Sequence, residues 1–253
     1  MPSILVVNDD GIYAPGIKAL AGALRSVGEV TVVAPLAERS AIGHAITVYD
    51  PLRVVEIERD SVFFGHAVSG TPADCVKIAV KCLMEEPPDI IVSGINQGSN
   101  TATNVIYSGT VSAAAEGVIL GIPAIAVSLV SFEKKNFGYA AKVARHLTRL
   151  VLEKGLPPRT LLNVNVPPLA EEEIEDVLPA RQGEGRYEER FDKRFDPQNR
   201  PYYWMAGKRM ILDSADDVDD VIVMHNKVSV TPIQYDLTHH EFLKELATWK
   251  LKP

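Results

Sequence analysis

Asn8, Asp9, Asp10 and Gly11 stand directly behind the apolar run Ile4-Leu5-Val6-Val7. Two neighbouring carboxylates raise each other's pKa unless a cation offsets their charge, and hard oxygen ligands suit Mg²⁺ or Mn²⁺. The pair therefore points to half of a divalent-metal site. The plainer alternative is a turn at Asp10-Gly11 with Asn8 or Asp9 as a local cap. Ser40, in APLAERS behind a second apolar run, adds a hydroxyl oxygen, and SGINQGSN behind a third offers Asn96 and Asn100 as neutral contacts. That segment leads into Tyr107-Ser108-Gly109-Thr110, just ahead of a helix expected from Val111. A helix start presents free N–H groups and a positive dipole end to anions, and Ser108 and Thr110 add hydroxyl donors. Asn100, Ser108, Gly109 and Thr110 are thus the candidate phosphate contacts; a serine N-cap without a ligand is the plainer alternative.

These residues need elements that bring them to one place. Apolar runs at 4–7, 30–34, 90–93, 125–128 and 161–166 read as strands, and 16–26, 72–84, 111–120 and 136–153 read as helices. Strands without polar alternation, separated by helices, indicate an α/β fold: a mostly parallel sheet covered on both faces, a three-layer sandwich. Ligands of such sheets bind at the carboxyl ends of the strands, where Asp9, Asp10, Ser40 and Asn96 all fall. The segment 47–68 suggests a two- or three-stranded antiparallel insertion. After residue 166 the chain turns polar, aromatic and irregular through RYEERFDKRFDPQNRPYYWMAG, then strand-like in VIVMHNKVSVTPI, with a terminal helix over 241–250. The expected organisation is a catalytic core over 1–166 and a C-terminal oligomerisation arm over 167–253. A projecting aromatic hairpin of this kind usually serves as an oligomer interface.

With 253 residues, 46% of them hydrophobic, the chain can bury a substantial core. Its net charge of −7 argues against a nucleic-acid polymer or an anionic membrane as partner. No stretch approaches the ~18 apolar residues of a membrane span. Cys75 and Cys82 lie seven apart on an expected helix, a rise of about 10.5 Å that forbids a bridge between them. A reducing cytoplasm is the simplest location. The six histidines lack zinc-site spacing, although His44, close behind Ser40, is a proton-donor candidate. No GxSxG, Walker loop or GxGxxG occurs, which disfavours triad hydrolases, NTPases and dinucleotide enzymes.

Two other families carry acids behind a first strand. Haloacid-dehalogenase-type phosphatases have Asp-x-Asp-Gly, but here Asn8 stands where the nucleophile must be, and an amide cannot attack phosphorus as a carboxylate does. Receiver-type signalling domains need a phosphoacceptor Asp after a later strand, where this chain offers Ser93 and Asn96.

The segments ILVVNDDG, APLAERSAIGHAIT, VSGTPADCV, SGINQGSN, YSGTVSAAAEG, RPYYWMAG and VSVTPIQYDLTH together resemble the SurE family of survival-protein nucleotidases. The resemblance spans nearly the whole chain. It implies a metal-dependent 5′/3′-nucleotidase that dephosphorylates nucleoside monophosphates, with some exopolyphosphatase activity. It further implies a divalent cation on Asp9, Asp10, Ser40 and Asn96. On chemical grounds a water activated by such a cation attacks in line, and because Mg²⁺ acidifies water only weakly, Asp9 or Asp10 is the nearest candidate base. A Rossmann-like core follows too, with a C-terminal arm that builds a homodimer or homotetramer. One departure is His225-Asn226-Lys227, where the family usually has a Gly-Tyr type pair.

Overall fold

The structure, a computed structural model, describes residues 1–133 and 136–252, so the last residue of the 167–253 region lies outside it. β1 (Ser3–Val7) runs into α1 (Pro15–Leu24), β2 (Glu29–Pro35) and a hairpin of β3 (Val54–Arg59) and β4 (Val62–Val68). Next come α2 (Pro72–Ile78), which continues as a π-helical turn over Ala79–Leu83, and β5 (Ile90–Gln97). The short α3 (Asn104–Tyr107), α4 (Gly109–Ile119), β6 (Ala124–Leu129), α5 (Gly138–Lys154) and β7 (Thr160–Val166) follow. Beyond residue 166 lie a 3-10 turn (Glu171–Glu173), β8 (Val177–Pro179) and a long hairpin of β9 (Arg186–Phe195) and β10 (Pro201–Met210). α6 (Asp219–Met224), β11 (Val228–Gln234) and α7 (His240–Leu246) end the chain.

Nine strands form one sheet in the order β3-β4-β2-β1-β5-β6-β7-β11-β8, while β9 and β10 pair only with each other. β4, β2, β1, β5, β6 and β7 run parallel, and β11 is antiparallel to β7. Successive side chains of a strand point to opposite faces, which explains the unbroken apolar runs. Ile4, Val6, Ile90, Val92, Ile125 and Val127 meet α1 and α5 on one face; Leu5, Val7, Ile91, Ala124 and Ala126 meet α2 and α4 on the other. Each Ile or Leu buried in this way contributes about 1.5–3 kcal/mol.

Several elements differ from the sequence expectation. The antiparallel pair within 47–68 is confined to β3 and β4, and β4 pairs parallel with β2, so it widens the main sheet. Its turn residues Asp60 and Ser61 have φ of 53° and 59°, the two left-handed positions of a tight hairpin. The apolar VIVM expected as strand is α6 instead. Asp219 and Asp220 open its first turn, where acids favour a helix start, and Val221 and Ile222 are buried. β8 and β11, both beyond residue 166, complete the sheet of the core. The terminal helix stops at Leu246.

Candidate active site

The register of β1 with its neighbours, Val6 to Val32 and Val7 to Ser93, brings three strand ends to one edge. The turn behind β1 is anchored by Asn8 Nδ2, which donates to the Gly11 carbonyl at 3.0 Å. The Arg39 amide donates to the Asp9 carbonyl at 2.8 Å, so the loop that carries Ser40 folds against Asp9.

Asp9 is 4% exposed and sits at the start of α4. Its Oδ1 accepts the Thr110 hydroxyl at 2.5 Å. Gly109 packs so closely that a Cβ there would lie 2.7 Å from Asp9 Cβ and 2.9 Å from Oδ2. Burial raises the Asp9 pKa, and hydrogen bonds from the Thr110 hydroxyl and amide only partly offset it. Asp10 Oδ2 accepts the Gln97 amide at 3.2 Å. Burial, then the Asp9 charge and more weakly that of Glu38, push the Asp10 carboxyl up to about 7. Asn96 Nδ2 donates to the Gly98 carbonyl at 2.9 Å, and Asn96 Oδ1 takes no donor among the described residues. Ser40 is exposed, and its hydroxyl donates to Glu38 Oε1 at 2.6 Å.

Two expected phosphate contacts have other partners here. Thr110 directs its hydroxyl and amide at Asp9, so part of the anion-binding capacity of the helix start serves a carboxylate of the chain itself. Asn100 is buried in a network of amides: Nδ2 donates to Ser128 Oγ at 2.9 Å, and its backbone bonds Asn165 and Asn163. Ser108 caps α4, accepting the Val111 amide at 3.1 Å. His44 lies against Glu116 of α4, Nε2 to Oε2 at 2.9 Å, while Lys77 holds Oε1 at 2.6 Å. Glu116 is 2% exposed; burial raises its pKa, but the bonds from His44 and Lys77 outweigh this and hold it below the usual range. With the Gly43 amide on the Tyr107 carbonyl at 2.9 Å, these contacts clamp the loop behind Ser40 onto α4. Sequence reasoning missed Glu38 and Gln97, whose roles depend on neighbours distant in the chain.

Neither Asp9 nor Asp10 has a cationic side chain among the charges that act on it. Among the described residues no group of three or more His, Cys, Asp or Glu is placed to hold a metal. A cation here would therefore rest on two carboxylates and neutral oxygens. One buried and one half-buried carboxylate without counter-charge, at the sheet edge that also carries Asn96, suit a hard divalent ion.

The family model described as "Survival protein SurE" matches residues 4–189. The chain belongs to the SurE family. Among its SurE relatives, "5'-nucleotidase SurE" of Chlorobium chlorochromatii (strain CaD3) is 51% identical over 252 residues, covering 100% of this chain and 93% of the relative. The protein of the same name from Syntrophobacter fumaroxidans is 50% identical over 248 residues, 98% of this chain and 99% of its own. The crystal structure of the SurE protein from Aquifex aeolicus superposes with a TM-score of 0.85 at 43% identity, covering 97% of this chain and 98% of that one. The SurE fold is thus an α/β sandwich with a mostly parallel sheet and a separate antiparallel hairpin. No helix among the described residues is long and apolar enough to cross a membrane.

Proposed function

We propose that the protein is a divalent-metal-dependent phosphomonoesterase that hydrolyses nucleoside monophosphates to nucleoside and phosphate. The observation that carries this reading is the pair of adjacent carboxylates without counter-charge at the carboxyl edge of the sheet, Asp9 buried against the start of α4 and Asp10 half-buried beside it. The name "5'-nucleotidase SurE" of the relatives supports the substrate class.

Asp9, Asp10, Ser40 and Asn96 would hold Mg²⁺ or Mn²⁺. When bound, such a cation withdraws charge from the phosphoryl group and lowers the pKa of water. Thr110 fixes the Asp9 carboxylate through Oδ1. The Gly109 amide and Ser108 hydroxyl, with the α4 dipole behind them, receive phosphate oxygens. Asp10 Oδ1, which has no protein donor among the described residues, takes the proton from the attacking water. Asn100 shapes the loop behind Asn96 through Ser128 and Asn165, and its buried amide replaces the direct phosphate contact expected from sequence. Both sugar positions and the ends of short polyphosphates are substrates of the same site. The hairpin of β9 and β10 joins copies into a homodimer or homotetramer. The unbridged Cys75 and Cys82 suit a reducing cytoplasm. A dehalogenase-type nucleophile is disfavoured because Asn8 is fully buried with its amide on Gly11.

The test is AMP hydrolysis with Mg²⁺ or Mn²⁺ and its arrest by EDTA. Asp10→Asn should lose at least ~100-fold in rate, about 2.7 kcal/mol of transition-state stabilisation. Full activity in chelator or an intact rate in Asp10→Asn would overturn the proposal, and a trapped phosphoryl-aspartate would favour the dehalogenase-type route.

A further inference from the structure

Behind β6, at the same sheet edge as Asp10, Phe132 is 76% exposed. An isolated apolar side chain on a surface needs no explanation, but this ring is held in place. It lies on Gly98, where a Cβ would stand 2.7 Å from Phe132 Cε1 and 2.8 Å from Cζ. Gly98 has a φ of +120° and its amide donates to the Leu129 carbonyl at 2.9 Å, fixing the turn beneath the ring. The Gln97 side chain donates to the Phe132 carbonyl, and the Gln97 backbone amide donates to Asp10 Oδ2. Gln97 therefore ties the backbone of Phe132 to Asp10. Gln97 and Gly98 are consecutive, so the residue beneath the ring directly follows the one that bonds Asp10. Tyr13 and Tyr107 are also exposed at this edge, but neither is bonded through a residue that contacts Asp10.

We infer that Phe132 is the platform on which the nucleobase of the substrate stacks, an inference that rests on the nucleotidase reading above. A phosphate held at Asp9, Asp10 and the α4 start sends the sugar and base outward. The open face of the ring meets the base there, while its other face is backed by Gly98. Stacking on an aromatic face accepts purines and pyrimidines alike, because every base has a π-face. Phe132 thus distinguishes nucleotides from phosphates that carry no base. Gly98 is part of the same device, since any side chain there displaces the ring.

The experiment compares kcat/KM for AMP with kcat/KM for ribose 5-phosphate, which carries no base. The wild-type protein should prefer AMP, and Phe132→Ala should lower the AMP to ribose 5-phosphate ratio about tenfold, equivalent to about 1.4 kcal/mol. The loss should lie mainly in KM for AMP. Phe132→Trp restores an aromatic face and should keep the ratio within about twofold of wild type. A ratio unchanged in Phe132→Ala, or an equal fall in kcat on both substrates, overturns the inference and leaves the nucleotidase reading standing. A wild-type protein that hydrolyses no nucleoside monophosphate with any divalent metal overturns both.

Discussion

Asp9 and Thr110 are 101 positions apart, yet a short hydrogen bond of 2.5 Å joins them at the candidate site. A buried carboxylate that loses a donor bears about 1–3 kcal/mol of unrelieved desolvation. Thr110→Val removes the hydroxyl and keeps the branched shape, so it should cost about tenfold in kcat/KM and weaken Mn²⁺ binding, as measured by calorimetry. Thr110→Ser keeps the donor and should restore most of both. Gly109→Ala acts on the same carboxylate by a different force, because its Cβ meets Asp9 Cβ at 2.7 Å. Alanine is the better helix residue by about 0.5–1 kcal/mol, so any such gain in α4 comes with a displaced Asp9. Activity should fall by at least about tenfold without a matching fall in thermal stability.

Among the elements, α2 shows how a helix start can also anchor a loop. Thr71 Oγ1 accepts the Asp74 amide at 3.1 Å and Asp74 Oδ2 accepts the Thr71 amide at 2.9 Å, a reciprocal capping box. Asp74 also accepts the Thr47 amide and hydroxyl, at 3.0 and 2.6 Å, pinning the long loop between β2 and β3. Burial raises the Asp74 pKa, but these three donors outweigh it and bring it below 3.8. A carboxyl with a lower pKa when folded binds fewer protons in the native state. Its stabilisation is therefore complete above about pH 4 and is lost as pH falls through the lowered value. Asp74→Asn should cost about 1.5–3 kcal/mol at pH 7, and thermal melts of the two proteins should converge below about pH 4. The capping pattern TPAD is local and legible, as are the strand runs, since a sheet covered on both faces writes itself as continuous apolar residues. α6 was not legible, because the β-branched VIVM outweighs two acids unless the contacts of Asp219 to Ala102 and Gly183 are known. Asp9, Asp10 and Asn96 were legible as candidates from strand ends and residue type. The donor to Asp9, the carboxylate of Glu38 and the ring of Phe132 were not, because each acquires its role from a partner that only the fold supplies.

For the whole molecule, surface area bears on assembly. The chain exposes 14410 Å² at a mass of 27.6 kDa, whereas a compact monomer of that mass exposes roughly 11,000 Å². The excess is of the order that permanent assemblies bury, about 2,000–5,000 Å². A hairpin that pairs with no other strand contributes to it, and an isolated two-stranded hairpin is marginally stable alone. The pairing of Phe191 with Met205 and of Lys193 with Tyr203 puts these residues on one face with Tyr187 and Phe195. All but Lys193 are large exposed apolar or aromatic side chains, and Lys193 lies over the rings of Phe195 and Tyr203 at 5.3 and 6.0 Å. A second copy that covers this face gains the hydrophobic area and steadies the hairpin. Sedimentation should then give a mass of at least twice 27.6 kDa. Phe191→Lys places a charge at the centre of the face and should shift the protein toward monomer at micromolar concentration. Wild-type protein that sediments as a monomer, or a Phe191→Lys variant that keeps the wild-type mass, would remove the hairpin from the assembly. Arg209, at the root of β10, bonds Ser99, Thr101 and Asp220, so the loop behind Asn96 is fastened to the same hairpin. Loss of assembly should therefore also lower AMP hydrolysis, and activity measured across a dilution series should fall in step with the oligomer.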